Sequence, residues 1–499
     1  MKAPESTDDL RVPEIRTQTI RGAGWSTIEG AASQGLAFVV FLFMARLLSP
    51  TDFGLVALAN LYVMLAQFLI FCGLGPAVVQ SKEYDEENFD TAFWLQMAVG
   101  LGFFGLTIGL PAVVADFFGT RSLTPIVAAL SPIFIFSALC SMQNAVLSRQ
   151  LDFRSLALRT LLVSIIGGAF GIALALLGYG VWSLVGQQLL SGLAEVVLLW
   201  RISPWRPRFR FSREKARRLV RFGFHAMAAD LANLVSRRSG QYFVGKFLGP
   251  LQSGFFAIAA RVSTLVSEIM IRSLGRVTLS SFSRLQGQPD RFAAAFYRVV
   301  GMQSVLVLPV SIGLALLVPE VITVLFGAKW LPAAPTMQVL LLGSGFEALT
   351  SVHNSTLTGA GRPDWCNWLT CAHLTLNLVG FAIAVRWGME AVALASLVRA
   401  AVLYPVELVV LKHCLGLSPW ESIRRVLPLL VVTAAMAAAV VAVKQVNAGA
   451  ALTLGLATLA GTACFVGALY LLQRAVFTEM VACLRIFRRG PLTEMAVPE

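Results

Sequence analysis

The sequence predicts an all-α membrane protein with about 14 transmembrane helices, on three observations. Hydrophobic residues make up 57% of the chain and charged residues 13%, whereas soluble domains carry about 25% charged residues. Stretches of about 20 mostly apolar residues, each long enough to cross a bilayer as a helix, recur from Trp25 to Leu472. The segments between them are mostly about 5 to 15 residues long, which leaves no room for a soluble domain.

The predicted spans fall in two groups, separated by a basic linker. The first 20 residues are polar and lack the apolar core of a signal peptide, so we expect the first span to remain in the mature protein. The first group is predicted near 22–47, 53–79, 88–116, 123–148, 156–178 and 180–200, and the second near 219–248, 252–283, 291–318, 333–360, 364–386, 389–413, 423–443 and 449–474.

The positions of the basic residues predict the orientation. An even number of spans places both termini on the same side of the membrane. With both termini in the cytoplasm, 29 of the 40 Lys and Arg residues lie in inside segments, six in outside loops and five within spans. Because short cytoplasmic loops are enriched in Lys and Arg, we predict a multi-pass protein of the cytoplasmic (inner) membrane with both termini in the cytoplasm.

The net charge of +13 follows this topology, so we expect no nucleic-acid partner, although basic patches can bind phosphate backbones. The densest basic segment is the linker between the two groups of spans. Its sequence predicts contact with anionic membrane lipids.

Three pairs of similar segments, called echoes below, occur in the same order along the chain and indicate an internal duplication. Residues 45–59 and 245–259 share five identical positions, which include Pro50 with Pro250 and Gly54 with Gly254. The segments "FFGTR" at 117–121 and "LFGAK" at 325–329 form the second echo, and Ser141, Asn144 and Leu147 match Ser351, Asn354 and Leu357.

The echoes predict two six-helix bundles related by a parallel repeat, plus two C-terminal helices. The predicted domains are a cytoplasmic N-terminal segment (1–21), an N-terminal six-helix lobe (22–200), the basic cytoplasmic linker (201–218), a C-terminal six-helix lobe (219–413), two extra transmembrane helices (414–474) and a cytoplasmic tail (475–499).

Ionisable residues within spans predict the functional site, because each costs about 2.5–3.5 kcal/mol to insert and therefore needs a partner or water. Helical spacing places two such sets on one face each: Asp230, Asn233, Arg237 and Gln241, and then Arg261, Glu268, Arg272 and Arg276. Arg238 adjoins the first set. The arginines outnumber the nearby acids, which favours an anionic substrate, since guanidinium groups bind phosphate oxygens in pairs. Internal pairing of Asp230 with Arg237 and of Glu268 with Arg272 is the alternative.

Uncharged polar rows on other spans could hydrogen-bond sugar hydroxyls or hold membrane helices together. They contain the candidate sugar-binding residues Asn60, Gln67, Asn144 and Asn354. The spanning carboxylates Glu29, Glu195, Glu347 and Glu407 could exchange protons, hold a cation or serve the structure. We take Asp230, Glu268, Glu347 and Glu29 as the candidates for ion coupling. His225, His353 and His373 are predicted to be lone packing residues, and no spacing predicts a metal site or a cofactor.

Four stretches carry a resemblance to a known family: 22–59 ("GAGWSTIEGAASQGLAFVVFLFMARLLSPTDFGLVALA"), 71–80 ("FCGLGPAVVQ"), 221–250 ("RFGFHAMAADLANLVSRRSGQYFVGKFLGP") and 321–333 ("VITVLFGAKWLPA"). With them the chain resembles the polysaccharide transporter (Wzx-type lipid-linked oligosaccharide flippase) family of the multidrug/oligosaccharidyl-lipid/polysaccharide exporter superfamily. The resemblance implies a fourteen-helix exporter that moves undecaprenyl-diphosphate-linked oligosaccharide to the periplasmic leaflet by alternating access. It also implies coupling to a proton or Na⁺, and Arg237 and Arg238 as cavity residues.

The sequence therefore predicts a flippase for exopolysaccharide or lipopolysaccharide synthesis that is not an enzyme and that has a polysaccharide polymerase as a partner. The polyprenyl-diphosphate-linked glycan is expected to bind through its diphosphate to Arg237, Arg238, Arg261 and Arg272. A multidrug or cation antiporter would need an acidic cavity, and a peptidoglycan lipid-precursor flippase shares the predicted architecture. A membrane sugar polymerase or ligase would need a large outer loop, whereas the longest outer connection, 319–332, has Glu320 as its one acid.

Overall fold

The computed structural model describes residues 32–71, 86–149, 153–284, 288–446, 449–474 and 476–478. The regular secondary structure of these residues is entirely helical, and they contain no strand. The helices are α1 (Ala32–Leu47), α2 (Pro50–Phe71), α3 (Glu86–Gly109), α4 (Pro111–Phe117), α5 (Leu123–Leu130), α6 (Pro132–Arg149), α7 (Phe153–Leu176), α8 (Val181–Ile202), α9 (Arg213–Arg284), α10 (Pro289–Leu316), α11 (Ala334–Gly359), α12 (Pro363–Ala384), α13 (Met389–Leu415), α14 (Pro419–Lys444) and α15 (Ala450–Leu472). Short helical turns at Val318–Val321, Ile322–Phe326, Ala328–Ala333 and Val385–Trp387 complete the connections.

Eleven helical segments within the described ranges are long and apolar enough to cross a membrane. Many of their large apolar side chains are exposed, among them Leu106, Ile165, Val379 and Leu459, as expected of surfaces that face lipid. The prediction of an all-helical protein with many membrane spans is thus confirmed.

Proline sets several helix boundaries. Proline has a fixed φ and no N–H donor, so it is tolerated in the first turn of a helix, where that donor has no partner inside the helix. It divides two predicted spans. The span 88–116 is interrupted between Gly109 and Pro111, and the span 123–148 is offset at Ser131, just before Pro132.

Two predicted spans, 219–248 and 252–283, are joined in the long helix α9. The helical geometry is interrupted at Gly249, which has φ 83° and ψ −179°. That positive φ suits glycine. Pro250 follows and cannot donate a backbone hydrogen bond. The turn expected from this Gly-Pro pair is therefore a kink between two helical arms.

The chain forms two compact units. Unit 1 comprises Met1–Leu234 with Gly245–Gly254, and unit 2 comprises Val235–Val244 with Phe255–Glu499. In unit 1, α3 packs on α6 and α7 on α8. In unit 2, α11 packs between α10 and α13, α12 packs on α13, and α14 packs on α10 and α15. Both arms of α9 contribute to both units, whereas the sequence placed the boundary between lobes in the linker 201–218.

The basic linker packs on the start of α3 within unit 1. The backbone N–H of Arg208 donates to Asp90 Oδ1 at 3.0 Å, and the Arg208 guanidinium lies 2.7 Å from Glu86. Lys215, in the first turn of α9, lies 2.6 Å from Glu87. Glu86, Glu87 and Asp90 all lie in the first two turns of α3, so two of the basic residues bind carboxylates of the protein itself.

Aromatic contacts reinforce the same packing. Phe209 stacks on Trp94 of α3 with ring centroids 4.7 Å apart, and Trp94 Nε1 donates to the backbone carbonyl of Arg208 at 2.8 Å. Trp205 lies in a buried cluster with Phe89 and Phe93. The linker is therefore an integral part of unit 1.

Candidate functional site

Three exposed arginines on α9 form the basic cluster of unit 2. Arg237 and Arg238 lie on the first arm of the helix and Arg261 on the second, and all three side chains are exposed. The Arg238 guanidinium lies within electrostatic range of those of Arg237 and Arg261. The structure thus brings together three of the four arginines that the sequence analysis predicts to bind a diphosphate. The side chain of the fourth, Arg272, lies outside the described residues.

The described carboxylates do not neutralise this cluster. Arg237, Arg238 and Arg261 form no ion pair with any carboxylate in the described part of the chain. Asp230 is exposed and also forms no ion pair there, and Glu268 is half-buried. Internal pairing, the alternative considered from the sequence, therefore does not account for Arg237.

Two of the candidate sugar-binding amides are occupied by contacts between helices of unit 1. Gln67 Nε2 on α2 donates to Ser137 Oγ on α6 at 2.8 Å. Asn144 Oδ1 on α6 accepts a hydrogen bond from Arg159 on α7. These contacts are the helix-joining role that polar residues have in membranes, and a role for Gln67 and Asn144 in sugar binding stays a prediction.

The other two amides are not held in this way. Asn60 on α2 is half-buried and Asn354 on α11 is exposed, and neither side chain has a hydrogen-bond partner in the described part of the chain. Both are free to bind a sugar, which remains a prediction.

The predicted ion-coupling residues have different surroundings. Glu347 on α11 is largely exposed and its Oε1 lies 3.7 Å from Arg399 Nη2. Glu195 on α8, a spanning carboxylate for which the sequence left both roles open, forms an ion pair of 3.2 Å with Arg159. Glu29 lies outside the described residues.

Sequence reasoning missed a buried polar cluster in unit 2. Glu407 on α13 lies between two histidines: its Oε2 is 2.7 Å from Nδ1 of His353 and its Oε1 is 3.0 Å from Nε2 of His373. Nδ1 of His373 is in turn 2.5 Å from Nη1 of Arg399. His353 and His373 are therefore not lone residues, as the sequence suggested, although each has a nitrogen satisfied by a hydrogen bond to Glu407.

The cluster is assembled from three helices, since His353 lies on α11, His373 on α12 and both Glu407 and Arg399 on α13. Residues 34 and 54 positions apart meet, and no spacing rule within one helix predicts such a contact. The one signal in the sequence was that each group is ionisable and lies within an apolar span. His225 lies on α9, and its side chain is outside the described set.

No set of three His, Cys, Asp or Glu residues in the described ranges is arranged to hold a metal ion. Two polar clusters of unit 2 are therefore candidates for function: the exposed arginine cluster on α9 and the buried His-Glu-His cluster in α11–α13.

Comparisons with known proteins agree with this architecture. A family model described as "Polysaccharide biosynthesis protein" matches residues 43–335. The chain is 28% identical over 409 residues to the succinoglycan biosynthesis transport protein ExoT of Rhizobium meliloti, covering 80% of this chain and 82% of that protein. It is 24% identical to the teichuronic acid biosynthesis protein TuaB of Bacillus subtilis, with 76% of this chain and 78% of that protein covered.

A third relative is the lipopolysaccharide biosynthesis protein WzxC of Escherichia coli, 23% identical, with 70% of this chain and 72% of that protein covered. Among solved structures, the fold matches the lipid II flippase MurJ in an inward closed conformation, with a TM-score of 0.73, 14% identity and coverage of 90% of this chain and 99% of that one. An inward-facing multidrug resistance transporter of the MATE family matches with a TM-score of 0.59 and 15% identity, over 80% of this chain and 98% of that one. These two structural matches show the fold alone.

The family model covers more than half of the chain, and its description agrees with the names of the relatives. The chain belongs to the polysaccharide biosynthesis protein family, the polysaccharide transporters (Wzx-type flippases) of the multidrug/oligosaccharidyl-lipid/polysaccharide exporter superfamily.

Proposed function

We propose that this protein is a flippase that moves undecaprenyl-diphosphate-linked oligosaccharide repeat units across the cytoplasmic membrane by alternating access. The relatives are named for three different polysaccharides, namely succinoglycan, teichuronic acid and lipopolysaccharide. Because proteins of one family are named for such different glycans, a recognition element that they share would have to be independent of the sugar. A lipid diphosphate supplies one.

The arginine cluster is the observation that carries this proposal. Three guanidinium groups that repel one another and lack a carboxylate partner are costly in a membrane-spanning helix. A diphosphate offers several oxygens that can accept paired hydrogen bonds from guanidinium N–H groups. Such hydrogen bonds between charged groups are shorter and stronger than those between neutral groups. Binding of such an anion to Arg237, Arg238 and Arg261 would remove the repulsion. A cation or drug antiporter would gain nothing from this arrangement.

We also propose the fourteen-helix architecture with an internal repeat. The eleven candidate spans include Asp230–Ile271, whose 42 residues pass through the Gly249 kink and suffice for two crossings. With this segment counted twice, and with α1 and α11 counted as one crossing each, the described helices supply fourteen.

Local geometry supports the repeat. Gly119 and Gly327, the middle residues of one echo, both have positive φ, at 66° and 95°. The Gly54 and Gly254 turns of the first echo contact each other within unit 1.

Fusions of alkaline phosphatase and of green fluorescent protein test the orientation. A fusion after Gly388 should give active phosphatase, and one after Gly416 should give fluorescence. The reverse pattern would contradict the proposed topology.

The function is tested by deleting the gene and measuring polysaccharide export and lipid-linked repeat units. We expect polymer at the cell surface to fall and repeat units to accumulate on the cytoplasmic leaflet, because synthesis continues without translocation. Unchanged polymer with increased drug sensitivity would indicate an antiporter instead. Lysis with accumulated peptidoglycan precursor would indicate a peptidoglycan lipid-precursor flippase.

A further inference from the structure

The buried carboxylate of Glu407 is saturated by two histidines. Its side chain is 1% exposed, and each of its oxygens faces one imidazole nitrogen. An isolated buried carboxylate is unfavourable, and two N–H donors compensate for the lost hydration. Both donors come from neighbouring helices, so Glu407 joins α11 and α12 to α13.

Arg399 determines the tautomer of His373. A guanidinium group can only donate hydrogen bonds. Because Arg399 Nη1 lies 2.5 Å from His373 Nδ1, this nitrogen must accept and carries no proton. The proton of His373 therefore resides on Nε2 and is donated to Glu407 Oε1. His373 is neutral in this arrangement.

One imidazole nitrogen of His353 remains available to accept a proton. Its Nδ1–H donates to Glu407 Oε2, which leaves the lone pair on Nε2. That atom is buried and has no hydrogen-bond partner among the described residues. The rings of Phe296 and Tyr404 flank the imidazole, with centroids 6.1 and 5.2 Å away. A proton added at Nε2 would form an imidazolium directly beside the Glu407 carboxylate, where opposite charges attract strongly.

The groups that face the cluster fix its charge balance. His353 comes from α11, His373 from α12, and Arg399 and Tyr404 from α13 itself. From α10 the described contact is the uncharged ring of Phe296. With both histidines neutral, the buried carboxylate of Glu407 and the guanidinium of Arg399 balance. Glu347, at the exposed end of Arg399, adds a second negative charge, so one added proton brings the whole set to neutrality.

Arg399 also has a second acid within reach. Its Nη2 lies 3.7 Å from Glu347 Oε1, and the Glu347 side chain is 57% exposed. A shift of Arg399 towards Glu347 would release Nδ1 of His373 as a second proton acceptor. Arg399 thus lies between a buried proton acceptor and an exposed acid.

We propose that His353, Glu407, His373 and Arg399 form a proton-binding site that takes up one proton at Nε2 of His353. Its role as the coupling site of transport rests on the proposed flippase function. The donor set favours a proton over Na⁺, because hard cations require several oxygen ligands and both oxygens of Glu407 are occupied by N–H groups. Protonation changes the charge among three packed helices and so favours a rearrangement of their contacts.

The test is ¹⁵N NMR of the full-length protein, labelled at histidine and held in lipid nanodiscs. The chain has four histidines, so the spectrum is simple, and single His→Gln variants assign it. The pH is varied over the range in which the protein stays folded, and we expect His353 to become doubly protonated in one step as the pH is lowered. His373 should show Nε2–H and an accepting Nδ1 above that step. Glu407→Gln should abolish the step.

Two outcomes would overturn the proposal. One is that His353 and His373 both stay neutral over the whole range, which would make the cluster a static packing contact. The other is that His353 titrates but His353→Gln leaves polysaccharide export unchanged. We expect His353→Gln to lower export by about tenfold.

The matched control is His413→Gln, because His413 is exposed on the same helix α13 and lies outside the cluster; it should leave export unchanged. Size-exclusion profiles of both variants establish that they fold. The NMR experiment needs no substrate, so failure of proton binding with intact export would leave the flippase function in place. A titrating His353 in a protein whose deletion does not affect polymer would refute the flippase function alone.

Discussion

Gly54 and Gly254 face each other where α2 meets the kinked turn of α9. A Cβ on Gly54 would lie 3.0 Å from the backbone nitrogen of Gly254, and a Cβ on Gly254 would lie 3.1 Å from that of Gly54. The contact is reciprocal: the same atoms would lie 1.7 Å from the carbonyl oxygen of Pro250 and 1.9 Å from that of Pro50. The turn that the sequence repeats is therefore a backbone-to-backbone contact, which explains why glycine occupies both positions.

Replacing either glycine with alanine should destabilise this crossing. Because the atoms in the way belong to the backbone, the helices must separate, at a cost typical of overpacking, about 1–3 kcal/mol. Gly54→Ala and Gly254→Ala should each lower the apparent Tm of the purified protein. Gly102→Ala is the control, since a Cβ on Gly102 of α3 would have no neighbour within 4 Å. An unchanged Tm in both test variants would show that the crossing is looser than described.

The contact between Asp90 and the linker predicts protease resistance of residues 203–212. Asp90 is 1% exposed and accepts the backbone N–H of Arg208. Asp90→Ala leaves that donor without its acceptor, which costs about 1–3 kcal/mol. Trypsin should then cleave this segment faster in membrane vesicles. Glu214→Ala, which removes an exposed ion pair with Arg218, should leave the cleavage rate unchanged, and equal rates in the two variants would contradict the packing of the linker.

The ion pair between Arg159 and Glu195 predicts a double-mutant effect. Its side chains are 15% and 34% exposed, so removing one partner leaves a poorly hydrated charge on the other. Arg159→Met and Glu195→Gln should each lower the apparent Tm, and the double variant should lower it by less than the two single effects together. Additive effects would show that the two charges do not interact. If Glu195 instead couples ions, Glu195→Gln should abolish export without changing Tm.

Most of the helices could be predicted from the sequence because lipid imposes a simple rule. A chain in a bilayer must satisfy its backbone hydrogen bonds internally, so each apolar run of sufficient length becomes a helix. The predicted span 364–386 and the helix Pro363–Ala384 differ by a few residues. The break at Ser131 was not predicted. The break at Gly249 was predicted as a turn between two spans, and the structure has a kink between two arms of one helix, because an apolar run gives no sign of whether proline ends a helix or bends it.

The polar clusters were only partly predictable, for a related reason. Periodicity shows which residues share a face of one helix, and it selected Arg237 and Arg261 on α9. It does not show which helices are neighbours. The meeting of His353 with Glu407 depends on the packing of α11 against α13. The contacts of Asp90 and Glu86 with Arg208 depend on the return of residues 203–212 to α3. Contacts of this kind require the fold.

The diphosphate site is tested by the binding of undecaprenyl diphosphate to the purified full-length protein in nanodiscs, measured for wild type and for the triple variant Arg237→Ala, Arg238→Ala, Arg261→Ala. We expect affinity to fall by a factor of about 100 or more, since each lost charge-assisted hydrogen bond is worth about 1.5–3 kcal/mol. Arg386→Ala is the control, because Arg386 is exposed in a turn between α12 and α13. Equal affinity of the triple variant and wild type would contradict the assignment of the α9 arginines as the diphosphate site.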